Sequence, residues 1–216
     1  MYTTKTPMAL ALMAVLAAPA AMADTVNIDK FSNSSRNISH TIPGKTGSGN
    51  AGQLEGFLNG NSFLTYCTDL LQSFSWDTNY TNYTEVDGSV QWGAQKAADL
   101  GRLLTYIGTG VPADRNQSAR NQAAVWEVLY ESGTNYAFGS GAARFSTGNG
   151  TTQALLNNFN WTAAMSTVSI YDVDALVSPT KQDFLVWSPV PEPGTYALMG
   201  AGLAAVGFVA RRRRPA

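Results

Sequence analysis

The sequence lacks much of what enzymes and metalloproteins are built from. It has one cysteine and one histidine in 216 residues. A single cysteine excludes an intramolecular disulfide framework and any cysteine-rich zinc site. A single histidine excludes sites that need two, such as the H-E-x-x-H zincins. There is no G-x-S-x-G elbow, no internal repeat and no low-complexity array. Charged residues make up only 13%, and the net charge is −1. Even that figure misleads, because Lys5 and Arg211 to Arg214 hold five of the 14 basic residues at the two ends. The stretch 24–188 carries nine Lys and Arg against 14 Asp and Glu, a net −5. This mildly acidic body, rich in Asn, Thr, Ser and Gly, offers no basic patch to nucleic acid or anionic lipid.

Both ends read as addresses. Lys5 supplies a positive start, Met8 to Ala18 is an uncharged apolar run, and Pro19 breaks it. Ala21-Met22-Ala23 is a small-x-small cleavage pattern, so residues 1–23 read as a signal peptide with the mature start at Asp24. At the other end, Pro191-Glu192-Pro193 is followed by Tyr196 to Ala210 without a charge, then by Arg211, Arg212, Arg213 and Arg214. Fifteen residues at the helical rise reach roughly 22 Å, short of a hydrocarbon core of about 30 Å. The expectation is a short membrane helix over about 196–210 with the arginine block kept cytoplasmic. This three-part end resembles the PEP-CTERM sorting signal of Gram-negative bacteria. That resemblance implies transient inner-membrane residence, cutting near the motif by an exosortase, and delivery to the cell surface or extracellular matrix.

The body, 24–188, is expected to be α+β: a β-sandwich or small barrel with a helical insertion between early and late strands. Thr25 to Ile28 reads as a first strand and 31–53 as loop with short edge strands. Phe63 to Leu70 reads as a strand, with Leu64, Tyr66 and Leu70 on one face and Thr65, Cys67 and Asp69 on the other. Residues 75–88 are turn-rich. A helix is expected from Ser89 to Ile107, buried through Ala97, Leu100, Leu104 and Ile107. A second runs from Ser118 to Glu131, its face built on Ala119, Ala123, Trp126 and Tyr130, with Asn121, Glu127 and Glu131 pointing away. A third is expected near Thr152 to Ala164. Strands at Thr167 to Val173 and Asp183 to Trp187 close the body.

Two residues stand out. Cys67 is an unpaired cysteine in a chain that reads as exported. Gln122 lies at the edge of an apolar helix face, where an amide must find partners. Tyr66-Cys67-Thr68-Asp69 and Gln122-Ala123-Ala124-Val125-Trp126 resemble the cysteine motif and the Gln-x-x-aliphatic-Trp motif of bacterial Cys–Gln thioester domains. Asn121 stands where Thr is typical. The resemblance implies that Cys67, as thiolate, attacks the Gln122 carbonyl, expels ammonia and leaves an internal thioester for an amine or hydroxyl on a surface or matrix ligand. Trp126 would pack beside the bond. Asp69 reads as a turn or strand-end acceptor sooner than a catalytic group. No cofactor, metal, nucleic acid or turnover is expected.

Other chemistries fit less well. A cysteine hydrolase would need His40 as base, and His40 reads as a surface-loop residue. Asp77, Asn79, Glu85 and Asp87 cluster, but Asn82 stands where a calcium loop needs glycine. A non-covalent structural or biofilm-matrix protein with a free Cys67 is the main alternative.

Overall fold

A computed structural model describes residues 23–191 and 193–212. The leader-like run with Ala21 lies outside the described residues, as do Glu192, Arg213 and Arg214. The nine strands among these residues are β1 (Asp24–Phe31), β2 (Arg36–Ile42), β3 (Lys45–Ala51), β4 (Leu54–Leu58), β5 (Asn61–Cys67), β6 (Tyr80–Asp87), β7 (Arg144–Ser146), β8 (Tyr171–Val177) and β9 (Phe184–Pro189). The helices are α1 (Gly88–Trp92), α2 (Ala94–Ile107), α3 (Arg115–Tyr130), α4 (Gly150–Asn157), α5 (Trp161–Ser166) and α6 (Pro193–Arg212). Six strands close a barrel in the order β1-β4-β5-β9-β8-β6, and β3-β2-β7 form a separate sheet. The fold is therefore α+β, with the barrel formed rather than the sandwich. Helices α1 to α5 come between barrel strands β6 and β8.

Local chemistry explains the barrel's early turn. Asn59-Gly60 joins β4 to β5 with Leu58 paired to Asn61. Both turn residues have positive φ, 52° and 81°, as the tightest hairpin turns require.

Several expectations are corrected. Residues 36–51 form a hairpin rather than loop, because Ile38, His40 and Ile42 alternate inward while Ser39 and Thr41 alternate out. The Ser and Gly content of β3 masks the pattern from its side. His40 is thus buried on a central strand, paired with Gly47 and Phe145. Residues 80–87 are a strand within the stretch read as turns. The expected helix over 89–107 breaks at Gly93, whose φ of 88° no helix accommodates. Its cap is Asp87, which accepts from the Ser89 N–H at 2.7 Å. The third helix breaks into α4 and α5 around Asn158 to Asn160, and Asn160 caps α5. The strand expected at 167 starts at Tyr171, leaving Val168 and Ile170 exposed.

The largest correction concerns α3. Asn121, Glu127 and Glu131 do not point away; all three are buried. The helix packs against β2, β3, β5, α2 and α4, so it has no solvent face along its middle. Its polar residues are spent on backbone. Glu127 accepts from the Ala137 N–H at 2.7 Å. The Glu131 carboxylate accepts from the N–H groups of Ser132, Ala142 and Ala143. Lys96 donates to the carbonyls of Val128, Leu129 and Glu131 at 2.8, 2.7 and 2.6 Å, which satisfies the last turn of the helix.

Helix α6 forms over the tail, with Leu198, Met199, Leu203 and Val206 exposed. No helix among the described residues is long and apolar enough to cross a membrane. The expected membrane span is corrected accordingly. Its apolar run is short, and glycine and alanine dilute its hydropathy.

Burial pushes the Glu127 carboxyl up to about 7, aided by the Glu131 charge and opposed by the Ala137 N–H and Lys96. An acid whose folded value exceeds its unfolded one contributes stability below the unfolded value. That contribution is lost as pH rises through the folded value. Glu127→Gln should therefore gain on the wild type by roughly 1–3 kcal/mol between pH 4.5 and pH 8. Urea melts of both proteins at the two pH values check this.

Candidate functional site

The site begins where a ladder ends. Leu54 pairs with Thr65, so two more pairs in the same register would set Gly52 against Cys67. Strand β4 starts at Leu54, and on that side the Cys67 N–H and C=O have no strand to meet. The Gln122 carboxamide takes both. Cys67 N–H donates to Gln122 Oε1 at 2.9 Å, and Gln122 Nε2 donates to the Cys67 carbonyl at 2.8 Å. Neighbours on α3 do similar work. Ser118 Oγ accepts from the Gln53 N–H at 2.9 Å, and Asn121 Nδ2 reaches the Tyr66 hydroxyl at 3.5 Å. One face of the helix substitutes for the missing strand.

The sulfur meets different groups. The Cys67 thiol donates to the Asp69 carbonyl at 3.2 Å. A second glutamine, Gln182, sets its Nε2 directly on the Cys67 sulfur and donates to the Asp69 carbonyl at 2.9 Å. Strand pairing brings it there. Cys67 opposes Phe184 across β5 and β9, and the Thr68 N–H donates to the Asp183 carbonyl at 2.9 Å. The Tyr83 hydroxyl, donating to the Gln182 carbonyl at 2.6 Å, fixes that backbone.

Trp126 follows Gln122 by one turn on the same face of α3. Its ring is buried and stacks on Phe145, with centroids 6.0 Å apart at 23°. Burial pushes the Cys67 thiol up to about 12. The nearby Trp126 indole, the Asp69 backbone and Gln182 pull the other way, while the Asp69 charge adds to the rise. Burial therefore works against the thiolate form in the resting site.

The sequence-expected residues are thus partly assembled. Cys67 and Gln122 meet, and Trp126 is buried one turn further along α3 against Phe145. Gln122 binds the cysteine's main chain, however, and the amide at the sulfur belongs to Gln182. The Asp69 side chain caps a turn through the Leu71 N–H at 2.6 Å, and its carbonyl is what touches the site. Gln182 escaped sequence reasoning because only the β5–β9 pairing carries it to Cys67. The one available signal was its place just before the last strand.

His40 does not join the site. Among the described residues neither of its ring nitrogens has a hydrogen-bond partner. Burial, with Lys45 nearby, holds its pKa below the usual value. No three His, Cys, Asp or Glu side chains converge as a metal site among the described residues. A cleft of about 630 Å³ lined by Asp87, Tyr171, Asp174 and neighbours includes none of the residues around Cys67.

Comparison with protein families matches residues 189–214 to the PEP-CTERM protein-sorting motif. The chain therefore ends in the sorting signal of an exported exosortase substrate. The match covers Pro191, Pro193 and the arginine block and none of the body. No curated protein and no solved structure matches the chain. None of these comparisons supports a likeness of the body to thioester domains.

The two glutamines should separate on truncation. Gln122 is buried, and its loss orphans two main-chain groups. Gln122→Ala should cost about 2–4 kcal/mol. Gln182 is half-buried, and Gln182→Ala should cost about 1 kcal/mol or less. Chemical denaturation of both variants measures the difference.

Proposed function

We propose that this is an exported protein, sorted by an exosortase to the surface or extracellular matrix of a Gram-negative bacterium, whose body holds an internal thioester between Cys67 and Gln182. The sorting half is supported by the matched tail and by the exposed apolar side of α6, a surface suited to a membrane-embedded protease. The covalent half is carried by one observation. The Gln182 amide nitrogen sits on the Cys67 sulfur, while Gln122, the other candidate, gives both its amide bonds to the Cys67 main chain.

The chemistry balances without a cofactor. The sulfur forms a bond to the Gln182 carbonyl carbon, the C–N bond breaks, and nitrogen leaves as ammonia carrying the thiol proton. The thiol must give up its proton to the neighbouring amide nitrogen as the sulfur attacks, since the thiolate is the nucleophile and the nitrogen needs that proton to depart. An amine or hydroxyl on a target then attacks the same carbon. The C–S bond breaks, the target is joined through an amide or ester, and the thiol is restored. Each molecule reacts once, so the protein is a covalent adhesin and not an enzyme with turnover. Proximity supplies much of the drive, because barrel and helix hold both partners in contact.

A second reading has its own support. The Cys67 thiol is already bonded to the Asp69 carbonyl, which also suits a free cysteine in a non-covalent matrix protein.

Intact mass separates the two. The thioester predicts a purified protein one ammonia lighter than its sequence, gaining methylamine on incubation, with Cys67→Ala and Gln182→Ala at full mass. Gln122→Ala should keep the deficit in whatever fraction folds. A full-mass wild type that takes up no amine would leave the matrix reading. Thiol titration must be done in denaturant, because a buried thiol at about 12 is silent in the native state with or without the bond.

A further inference from the structure

We propose that the free edge of β3 is a self-association surface: two copies of this chain pair antiparallel through Thr46, Ser48 and Asn50 and double the β3-β2-β7 sheet. This goes beyond the reading above and holds with or without the thioester.

The sheet order leaves two outer edges. One is closed, because the Phe145 N–H of β7 donates to the Phe138 carbonyl at 2.7 Å. That bond also fixes where the other strands direct their backbone groups. Phe145 turns to Phe138 and so away from its β2 neighbour His40. His40 then directs its N–H and C=O to the opposite side, where it pairs with Gly47. These directions alternate along a strand. Gly47 therefore bonds β2, while Thr46, Ser48 and Asn50 point their N–H and C=O groups out of the sheet. The Asn37 carbonyl agrees with this phase. Asn37 pairs with Asn50, yet its carbonyl faces the β7 side and accepts from Thr147 Oγ1 at 2.8 Å. Among the described residues the outward groups of Thr46, Ser48 and Asn50 have no backbone partner, and all three residues are exposed.

Edge strands are normally defended by charge, proline or a bulge. The pairing of β3 with β2 runs from Ala51 to Lys45 without a shift, and Pro43 lies in the turn before the strand. The one charge on β3, Lys45, is engaged by the Leu70 carbonyl. What the strand offers is a complement to itself. A two-fold axis at Ser48 sets Ser48 against its own copy, Thr46 of each copy against Asn50 of the other, and Lys45 against Ala51. No like charges meet. Gly47 then faces Gly49, and two residues without side chains let the backbones approach. Each hydrogen-bonded pair exchanges two bonds, so the edge gains about six. The same patch serves both copies, and the contact closes at two.

The test is light scattering with size-exclusion chromatography on the full-length protein in mild detergent, over a concentration series. The wild type should pass from monomer to dimer. Ser48→Pro removes an outward N–H and no bond to β2, the one place a strand tolerates proline. Its circular dichroism should match the wild type. Its dimer dissociation constant should rise on the order of thirtyfold, the loss of two bonds across the axis. Ser48→Cys, labelled with a nitroxide in the folded state where Cys67 is buried, should show spin–spin broadening that disappears on mixing with unlabelled protein. A wild type that stays monomeric overturns the proposal and leaves the edge to a foreign strand. A dimer that persists in folded Ser48→Pro, or that leaves the labels uncoupled, also overturns it and points to association through the exposed apolar side of α6. Should Ser48→Pro fail to fold, Ser48→Lys replaces an exposed side chain and sets like charges across the axis. It must weaken the dimer as well, and a dimer it leaves unchanged refutes the pairing.

Discussion

The pairing of one side-chain amide with one residue's main chain is the constraint on which this structure turns. Cys67 closes β5 at a point where β4 has already ended, so two polar backbone groups are left on a buried edge. Leaving them unpaired would cost a few kcal/mol. Gln122 reproduces what a strand would offer, a donor and an acceptor at main-chain spacing. This welds α3 to the barrel and explains why a helix with a polar sequence can be buried along its whole middle. Ser118 and Asn121 extend the same substitution to Gln53 and Tyr66. On the other flank of Cys67 the barrel remains a barrel: β9 pairs with β5 and delivers Gln182.

That division also explains what could be read from the sequence. The α+β class, the helical insertion between early and late strands, and the meeting of Cys67 with the helix of Gln122 and Trp126 were legible, because each rests on local periodicity or a short motif. What failed depended on partners distant in the chain. His40 looked like a loop residue, since the Ser and Gly around it conceal an alternation that only pairing with Gly47 and Phe145 makes meaningful. Glu127 and Glu131 looked like surface residues, since a helical wheel cannot know that a later segment, Ala137 to Ala143, will fold over that face. Gln182 is the most instructive. Nothing near it in the sequence is unusual, and its importance is conferred by register. A one-residue slip of β9 against β5 would turn its side chain to the other face.

The same burial has opposing effects on the chemistry. It raises the thiol to about 12, which removes the thiolate that makes exposed cysteines oxidise and react indiscriminately. It also excludes the water that would hydrolyse a thioester. Both effects favour a bond that is kept rather than used. A site of this kind trades rate for latency, a sensible exchange for a group that acts once.

Under the proposed thioester, the tail and the Cys67 site would be committed to separate acyl chemistries. An exosortase acts at the Pro191-Glu192-Pro193 tail, outside the barrel and after β9 has closed it at Pro189. The Cys67–Gln182 contact sits just before the first residues of that same strand. Since β9 supplies Phe184 and Leu185 to the core and Gln182 lies two residues before Phe184, any process that pulled on the tail hard enough to strip β9 would carry Gln182 away from Cys67. A closed thioester would oppose that, because it ties the start of β9 covalently to the end of β5. The bond that waits for a target would thus also brace the barrel at the strand from which the sorting signal hangs.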